Sequence, residues 1–374
     1  MLYKNGMTVL PDFTLGEVDV RVSKGRIMEL APRGVLCDPE GEIDIAGRIL
    51  APGLVDMHIH GCAGMDFSAE RDTAACLCRM SEYLGSRGIA AFAPAAMTMP
   101  YEDLCALMVR YQKAVVNPLP GAAAVGIYLE GPFLSAQKCG AQPTEYLQPP
   151  DRDKFTELHR LSGENIRTVC VAPELDGAIA FIEAAKERCR VSAAHTAADY
   201  ETMREAISAG ISHATHLFNG MNPIGHREPN GAAALLESDD VMCELICDGL
   251  HVHPAMVQLT YRLTGADRLC LVSDAMSATG LGNGMFRLGS QDVTVYGLEA
   301  RLSDGTLAGS VTDLMQAFQN AIRFGIPPLD ALKAVTLNPA KALGIDDVLG
   351  SVAVGKTARF VLLDETFGFI KAIT

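Results

Sequence analysis

The sequence predicts an α/β protein built on a closed, TIM-like (β/α)8 barrel, with a small β-sandwich domain formed from both chain termini. Three observations carry this expectation. Between Leu50 and about Leu343, short apolar runs alternate with segments of helical period, and eight runs can be counted, the barrel number. The runs are nearly continuous in apolar residues, as expected of parallel strands covered on both faces. The polar residues His58, Glu130, His195, His216, Asp248 and Asp274 stand at or just past the C-terminal ends of these runs. In a closed parallel barrel those ends ring one mouth, whereas an open doubly wound sheet gathers them only at its switch point.

Taken in order, residues 1–49 show short alternating strands such as Val18–Val22, with turns at Lys24-Gly25 and Gly47-Arg48. The barrel strands are expected at 50–57, 89–96, 124–130, 167–172, 190–195, 212–217, 242–248 and 269–274. Helical patterns lie between them, for example Asp72 to Arg87, Asp176 to Arg188 and Asp199 to Ala209, each opening on an Asp suited to cap free N–H groups. From Gly282 to Gly309, the runs Val293–Tyr296 and Ala300–Leu302 read as a hairpin excursion after the eighth strand. Ala358 to Asp364 is a last strand. Neither terminus could form a core alone, so 1–49 and 346–374 are expected to join in one small β domain beside a barrel domain of 50–345.

Composition narrows the function classes. Hydrophobic residues at 49% and charged residues at 20% describe a well-buried globule. A formal net charge of −14 argues against a broad nucleic-acid surface, although a small anion needs only a few local cations. No run suits a membrane span, and the Met1–Asn5 start lacks a basic segment followed by an apolar one, so a cytoplasmic protein is expected. The eleven Cys are an odd number without a C-x-x-C pair, which argues against disulfides. Cys170, Cys243, Cys247 and Cys270 sit in apolar runs and are expected to be small core residues.

Five fragments carry the chemistry: Asp56-Met57-His58-Ile59-His60, Leu129-Glu130-Gly131-Pro132, Ala194-His195-Thr196, Thr215-His216-Leu217-Phe218-Asn219 and Val272-Ser273-Asp274. A lone His at a strand end is more often a hydrogen-bonded structural residue than a ligand. His58 and His60, two apart on a strand, aim at one point. Neutral imidazoles and carboxylates bind divalent metals, and a bound metal lowers the pKa of its water to about 7. A carboxylate such as Asp274 could take that water's proton and deliver it to a leaving nitrogen, so the set points to metal-assisted hydrolysis.

Longer segments are more specific. They are Pro52-Gly53-Leu54-Val55-Asp56 leading to His58-x-His60-Gly61-x-x-Gly64, Leu129-Glu130-Gly131-Pro132-Phe133, Thr215-His216-Leu217-Phe218-Asn219-Gly220-Met221, Arg227-Glu228-Pro229, Asp248-Gly249-Leu250-His251, Ser273-Asp274-Ala275 and Ala308-Gly309-Ser310. With His195-Thr196, they resemble the N-acetylglucosamine-6-phosphate deacetylase family of the amidohydrolase superfamily over essentially the whole chain. The resemblance implies a homodimeric hydrolase that releases acetate from N-acetylglucosamine 6-phosphate. Glu130, His195 and His216 would hold one metal, with Glu130 in place of the carboxylated Lys that bridges metals elsewhere in the superfamily. His58 and His60 would add a second. Asp274 would be the general base and acid and could touch a metal. One or two divalent ions per subunit are implied, Zn, Fe, Mn or Co, with Zn favoured.

Asn219, the Gly220 backbone, Arg227 and His251 would handle the sugar phosphate, Arg227 reaching in from the neighbouring subunit. Ala141, Leu307, Ala308 and Gly309 would approach it with backbone groups. Gln142 departs from the family, which often has His there to polarise the acetyl carbonyl. An amide donates a hydrogen bond but carries no charge. Because loss of one oxyanion donor costs about 10²–10³ in rate, replacement by a weaker donor should cost less. Other readings are the galactosamine epimer or another N-acyl substrate, a deaminase, and a non-catalytic binding protein of the same fold. A second metal pair at His251 and His253 is conceivable but disfavoured, and His159, His213 and His226 are expected to be structural or solvent-facing.

Overall fold

The eight apolar runs become eight parallel strands. In the computed structural model, which describes residues 1–37 and 41–373, they are β1 (Leu54–Ile59), β2 (Ile89–Met97), β3 (Ile127–Glu130), β4 (Ile166–Val171), β5 (Arg190–Ala193), β6 (Ile211–Ala214), β7 (Met242–Ile246) and β8 (Leu269–Val272). Each pairs with the next in parallel, from β1 to β8. The seam between β8 and β1 is joined where the Asp274 N–H donates to the His58 carbonyl at 3.0 Å. The Ser273 N–H donates to Oδ1 of Asp56 at 3.3 Å in the same seam. Burial pushes the Asp56 carboxyl up to about 7, even against the hydrogen bonds from Ser273. Every residue of β1, β2, β3 and β8 is buried, which accounts for their unbroken apolar character.

The expected first strand, 50–57, is divided. Ile49–Pro52 pairs with Phe360–Leu363 and Met7–Val9 in a sheet made by the chain ends, and only Leu54 onward enters the barrel. Gly53 makes the transfer, since a Cβ there would lie 2.8 Å from that of Ala90 and 3.3 Å from the Arg359 carbonyl oxygen. A continuous apolar run hides such a change of sheet, because both halves are equally buried. The five-stranded sheet runs Phe369–Ile373, Phe360–Leu363, Ile49–Pro52, Met7–Val9, Leu15–Gly16. A four-stranded sheet of Arg26–Pro32, Val18–Ser23, Leu2–Lys4 and Glu42–Asp44 faces it across Tyr3, Val20, Ile27, Leu50, Phe360 and Leu362. The terminal ranges expected from the sequence include residues 38–40 and 374, which lie outside the described residues.

Helices fill the connections. Asp72 caps Thr73–Ser86 by accepting from the Ala75 N–H, and Asp199 caps Tyr200–Ala209 by accepting from Thr202. The helix expected to open on Asp176 instead spans Ala178–Ala185 and starts from Gly177 at φ 82°, a left-handed turn that glycine adopts freely. The excursion after β8 is a three-stranded antiparallel sheet of Gly284–Leu288, Gln291–Tyr296 and Glu299–Arg301 rather than a single hairpin. All eleven Cys are free. Cys170, Cys243, Cys247 and Cys270 are fully buried, and burial pushes the thiols of Cys243 and Cys247 up to about 12, so they are packing residues. Among the described residues no helix is long and apolar enough to cross a membrane.

Candidate metal centre and catalytic cavity

The barrel places its polar strand ends by a repeated local device. His195, His216 and Asp274 each stand two residues beyond a strand, after β5, β6 and β8, and each has positive φ, at 43°, 28° and 46°. A non-glycine residue in this region costs of order 1–3 kcal/mol and persists where surrounding structure enforces it. The turn brings each side chain back over the mouth. Glu130 closes β3, and the next residue, Gly131 at φ 119°, has no room for a Cβ, which would lie 2.1 Å from Oγ1 of Thr98.

Glu130 is the hub. Its Oε1 lies 2.9 Å from Nε2 of both His195 and His216. Its Oε2 lies 3.0 Å from Nε2 of His60, which is itself 3.1 Å from Oδ1 of Asp274. Nε2 of His58 is 3.6 Å from both carboxylates. Two triads result, Glu130–His195–His216 and His58–His60–Asp274, with the ligating atoms of each within 4.8 Å of one another and every member buried.

The donor set fits a divalent metal on three counts. Nε2 of His58 is buried without a hydrogen-bond partner, an orphan that a metal would satisfy. Three of the four ring nitrogens turned away from the centre are engaged, Nδ1 of His195 with the Lys138 carbonyl at 2.8 Å, Nδ1 of His216 with the Asn219 carbonyl at 3.1 Å, and Nδ1 of His58 with Glu244 at 3.0 Å, whereas Nδ1 of His60 is buried without a partner. Such partners fix the ring orientation of ligating His residues. The electrostatics agree. Burial would drive protons off the imidazoles, yet the carboxylates of Glu130 and Asp274 hold His60 up to about 9, and His58 and His216 are also raised. Burial likewise opposes ionisation of Glu130, but the surrounding imidazoles hold it well below the usual carboxylate range, and Asp274 is lowered by His60 and His58. A pocket that raises the pKa of three buried imidazoles against their burial has the negative potential that a dication would exploit.

Glu244 was not expected. It is fully buried on β7 and receives His58 Nδ1 on Oε2, His213 Nε2 on Oε1 at 2.9 Å, and the His216 N–H at 3.2 Å. Its signal in the sequence is a single charge inside the apolar strand Met242–Ile246, where an unpaired carboxylate would be untenable. Burial opposes its charge, and His58 and His213 overcome that, holding it far below its ordinary range. Tyr128 stacks on the His58 ring with centroids 4.1 Å apart and a 15° tilt. Replacing Glu244 by Gln removes the charge behind His58, so metal affinity at the His58–His60–Asp274 triad is expected to fall about 10–100-fold. Metal titration of the apo protein checks this, and unchanged affinity would make Glu244 a packing residue only.

The centre opens into a cavity of about 410 Å³. Of the residues expected to meet substrate, Ala141, Gln142, Asn219, Gly220, His251, Leu307 and Gly309 line it. Ala308 does not: its side chain is fully buried in the core of the excursion sheet and its N–H donates to the Ala300 carbonyl. Arg227 is exposed and does not line the cavity of its own chain. Gln142 is fixed at both ends, its Oε1 accepting from the Thr98 N–H at 2.8 Å and its Nε2 donating to Oε2 of Glu130 at 3.0 Å. His251 is held by Asp248 at 2.6 Å, whereas His253 is exposed and caps the helix Pro254–Arg268, so the two form no metal pair. His213 and His159 are buried and His226 is exposed, as anticipated. Arg301 and Thr306, neither anticipated, also line the cavity.

Comparison with known proteins agrees with this geometry. Residues 49–373 match the Amidohydrolase family. The N-acetylglucosamine-6-phosphate deacetylase of Bacillus subtilis (strain 168) is 38% identical over 324 residues, covering 85% of this chain and 81% of that protein. The N-acetylgalactosamine-6-phosphate deacetylase of Escherichia coli O157:H7 is 33% identical, covering 94% and 91%. Among solved structures, the N-acetyl-D-glucosamine-6-phosphate deacetylase D267A mutant from Mycobacterium smegmatis, in complex with N-acetyl-D-glucosamine-6-phosphate, superposes with a TM-score of 0.92 at 32% identity, covering 100% of this chain and 97% of that one. The enzyme from Pasteurella multocida gives 0.93 at 29% identity, with coverage of 100% and 97%. With all eight barrel strands inside the match and two candidate ligand triads at the barrel mouth, the chain belongs to the amidohydrolase family.

Proposed function

We propose that this protein hydrolyses the acetamide of N-acetylglucosamine 6-phosphate, giving glucosamine 6-phosphate and acetate. The observation that carries the reading is the convergence of two ligand triads on the two oxygens of Glu130, with Asp274 beside them at the floor of an open cavity. Glu130, His195 and His216 would hold one divalent metal and His58, His60 and Asp274 a second, Zn before Fe, Mn or Co. When bound, the metal supplies polarisation of the acetyl carbonyl and a lowered pKa for the attacking water.

The protein's own groups do the rest. Asp274 is kept ionised by His60 and His58 against its burial, so it begins as a base. It accepts the proton of the attacking water and delivers it to the leaving nitrogen. Gln142 spends one amide hydrogen on Glu130 and has a second to offer the oxyanion, its orientation fixed by Thr98. Asn219, Gly220 and His251 grip the sugar phosphate, with Asp248 steadying the His251 ring. Arg227, which does not line its own chain's cavity, would serve the partner's cavity in a homodimer. An Arg fork suits a phosphate, so Arg227→Ala is expected to raise KM for the phosphorylated sugar at least about tenfold with metal content unchanged. Full activity in a monomeric sample would refute the shared site.

The deciding experiment measures acetate released from N-acetylglucosamine 6-phosphate, its galactosamine epimer and unphosphorylated N-acetylglucosamine, with metal content determined on the same sample. The epimer belongs in the panel because the Escherichia coli relative named for it matches 94% of this chain. Strong turnover of the first substrate that a chelator abolishes is the expected result. No turnover by fully metallated protein would sink the reading and redirect the search to other N-acyl compounds.

A further inference from the structure

A second cavity lies beside the catalytic one, behind a wall formed by neighbouring residues of the same segments. Met97, Gln142 and Leu288 face the catalytic side, while Thr98, Tyr146 and Gly289 face the other. The neighbouring cavity measures about 330 Å³, enough for a small organic ligand. Its lining carries Arg71, Arg110 and Arg287 against one carboxylate, Asp103. In a chain of formal net charge −14, three guanidinium groups around one cavity form a local reversal of sign.

These charges are largely uncommitted. Arg71 is exposed and has no hydrogen-bond or ion-pair partner among the described residues. Arg110 spends only Nε, on Oγ1 of Thr73 at 3.1 Å. Arg287 donates through Nη2 to the Ser290 carbonyl at 3.3 Å, and its Nε sits 3.7 Å from Asp292, a pair whose side chains are 63% and 77% exposed and therefore screened. The helix Tyr101–Ala114 also begins at this cavity, and its N-cap, Pro100, makes no side-chain capping bond. Its first N–H groups add positive potential, offset in part by Glu102 and Asp103 in the first turn. A cation-lined depression at the other end of the barrel is more committed, since Arg167, Lys186 and Arg190 are spent there on the carbonyls of Val125, Ala209 and Ala342, which leaves Arg188 and Lys341.

We propose that the cavity lined by Arg71, Arg110 and Arg287 is a second anion site, for a small phosphorylated metabolite or inorganic phosphate. Guanidinium forks on separate segments, the Ser68 and Ser290 hydroxyls and a helix N-terminus present donors from several sides, as a tetrahedral oxyanion requires. The site has a route to the reaction centre. Thr98 lines it, the Thr98 N–H holds Oε1 of Gln142, and Nε2 of Gln142 holds Oε2 of Glu130. Two hydrogen bonds thus separate a bound anion from the hub carboxylate.

Isothermal titration calorimetry of the metal-loaded protein with inorganic phosphate tests this without assuming any substrate. Wild-type protein is expected to bind phosphate at this cavity whatever the catalytic cavity contributes. The double variant R71A/R287A is expected to weaken one phosphate-binding event at least tenfold and to leave any other within twofold. Both side chains are exposed, so the variant tests charge rather than folding. No phosphate binding by the wild-type protein, or no event that the variant weakens, would overturn the proposal.

Discussion

Asp274→Asn is expected to lower acetate release by about 10²–10⁴-fold, the range that general acid–base groups contribute, while the protein still folds and still binds the sugar phosphate. Asn keeps the size and the turn of residue 274 and removes the charge proposed to accept and return the proton. The backbone seam depends on the Asp274 N–H, which the substitution leaves in place. Steady-state kinetics with metal analysis of the same sample checks the claim. A variant that kept most of its turnover would move the proton transfer to another group. A variant that lost turnover only through loss of metal would make Asp274 a ligand first and a base second.

Glu130→Gln is expected to be the most damaging single change in the centre. One carboxylate meets Nε2 of His60, His195 and His216 and the amide of Gln142. A neutral amide halves the acceptor capacity and removes the charge that holds both triads together. Metal content is expected to fall below one ion per chain, and acetate release to drop by about 10³-fold or more as the activated water is lost. Inductively coupled plasma analysis and an acetate assay read both effects. Stoichiometric metal in this variant would show that the imidazoles suffice without the hub.

Much of this was legible in the chain because a barrel converts order along the sequence into position around a ring. His58, Glu130, His195, His216 and Asp274 could be gathered in advance, since each sits at the end of a run too apolar to lie anywhere but the barrel wall. What escaped was of two kinds. The split of 50–57 at Gly53 escaped because a change of sheet leaves burial untouched, and only the crowding by Ala90 and Arg359 reveals it. Glu244 escaped because its role is set by partners 28 to 186 residues away, His216 and His58 among them, and no local pattern records such a meeting.

The left-handed residues at the mouth have a consequence for how this chain could change. His195, His216 and Asp274 each occupy a conformation in which glycine would be more comfortable. The three positions together withhold several kcal/mol from folding, a sizeable share of the roughly 5–15 kcal/mol that separates a folded domain from its unfolded chain. A lineage released from its reaction would therefore find stabilising substitutions close at hand, and each would erase a proposed ligand or the proposed base. Durability and activity pull in opposite directions at three sites, and an engineer seeking a hardier version of this protein should look for stability anywhere but the ends of those strands.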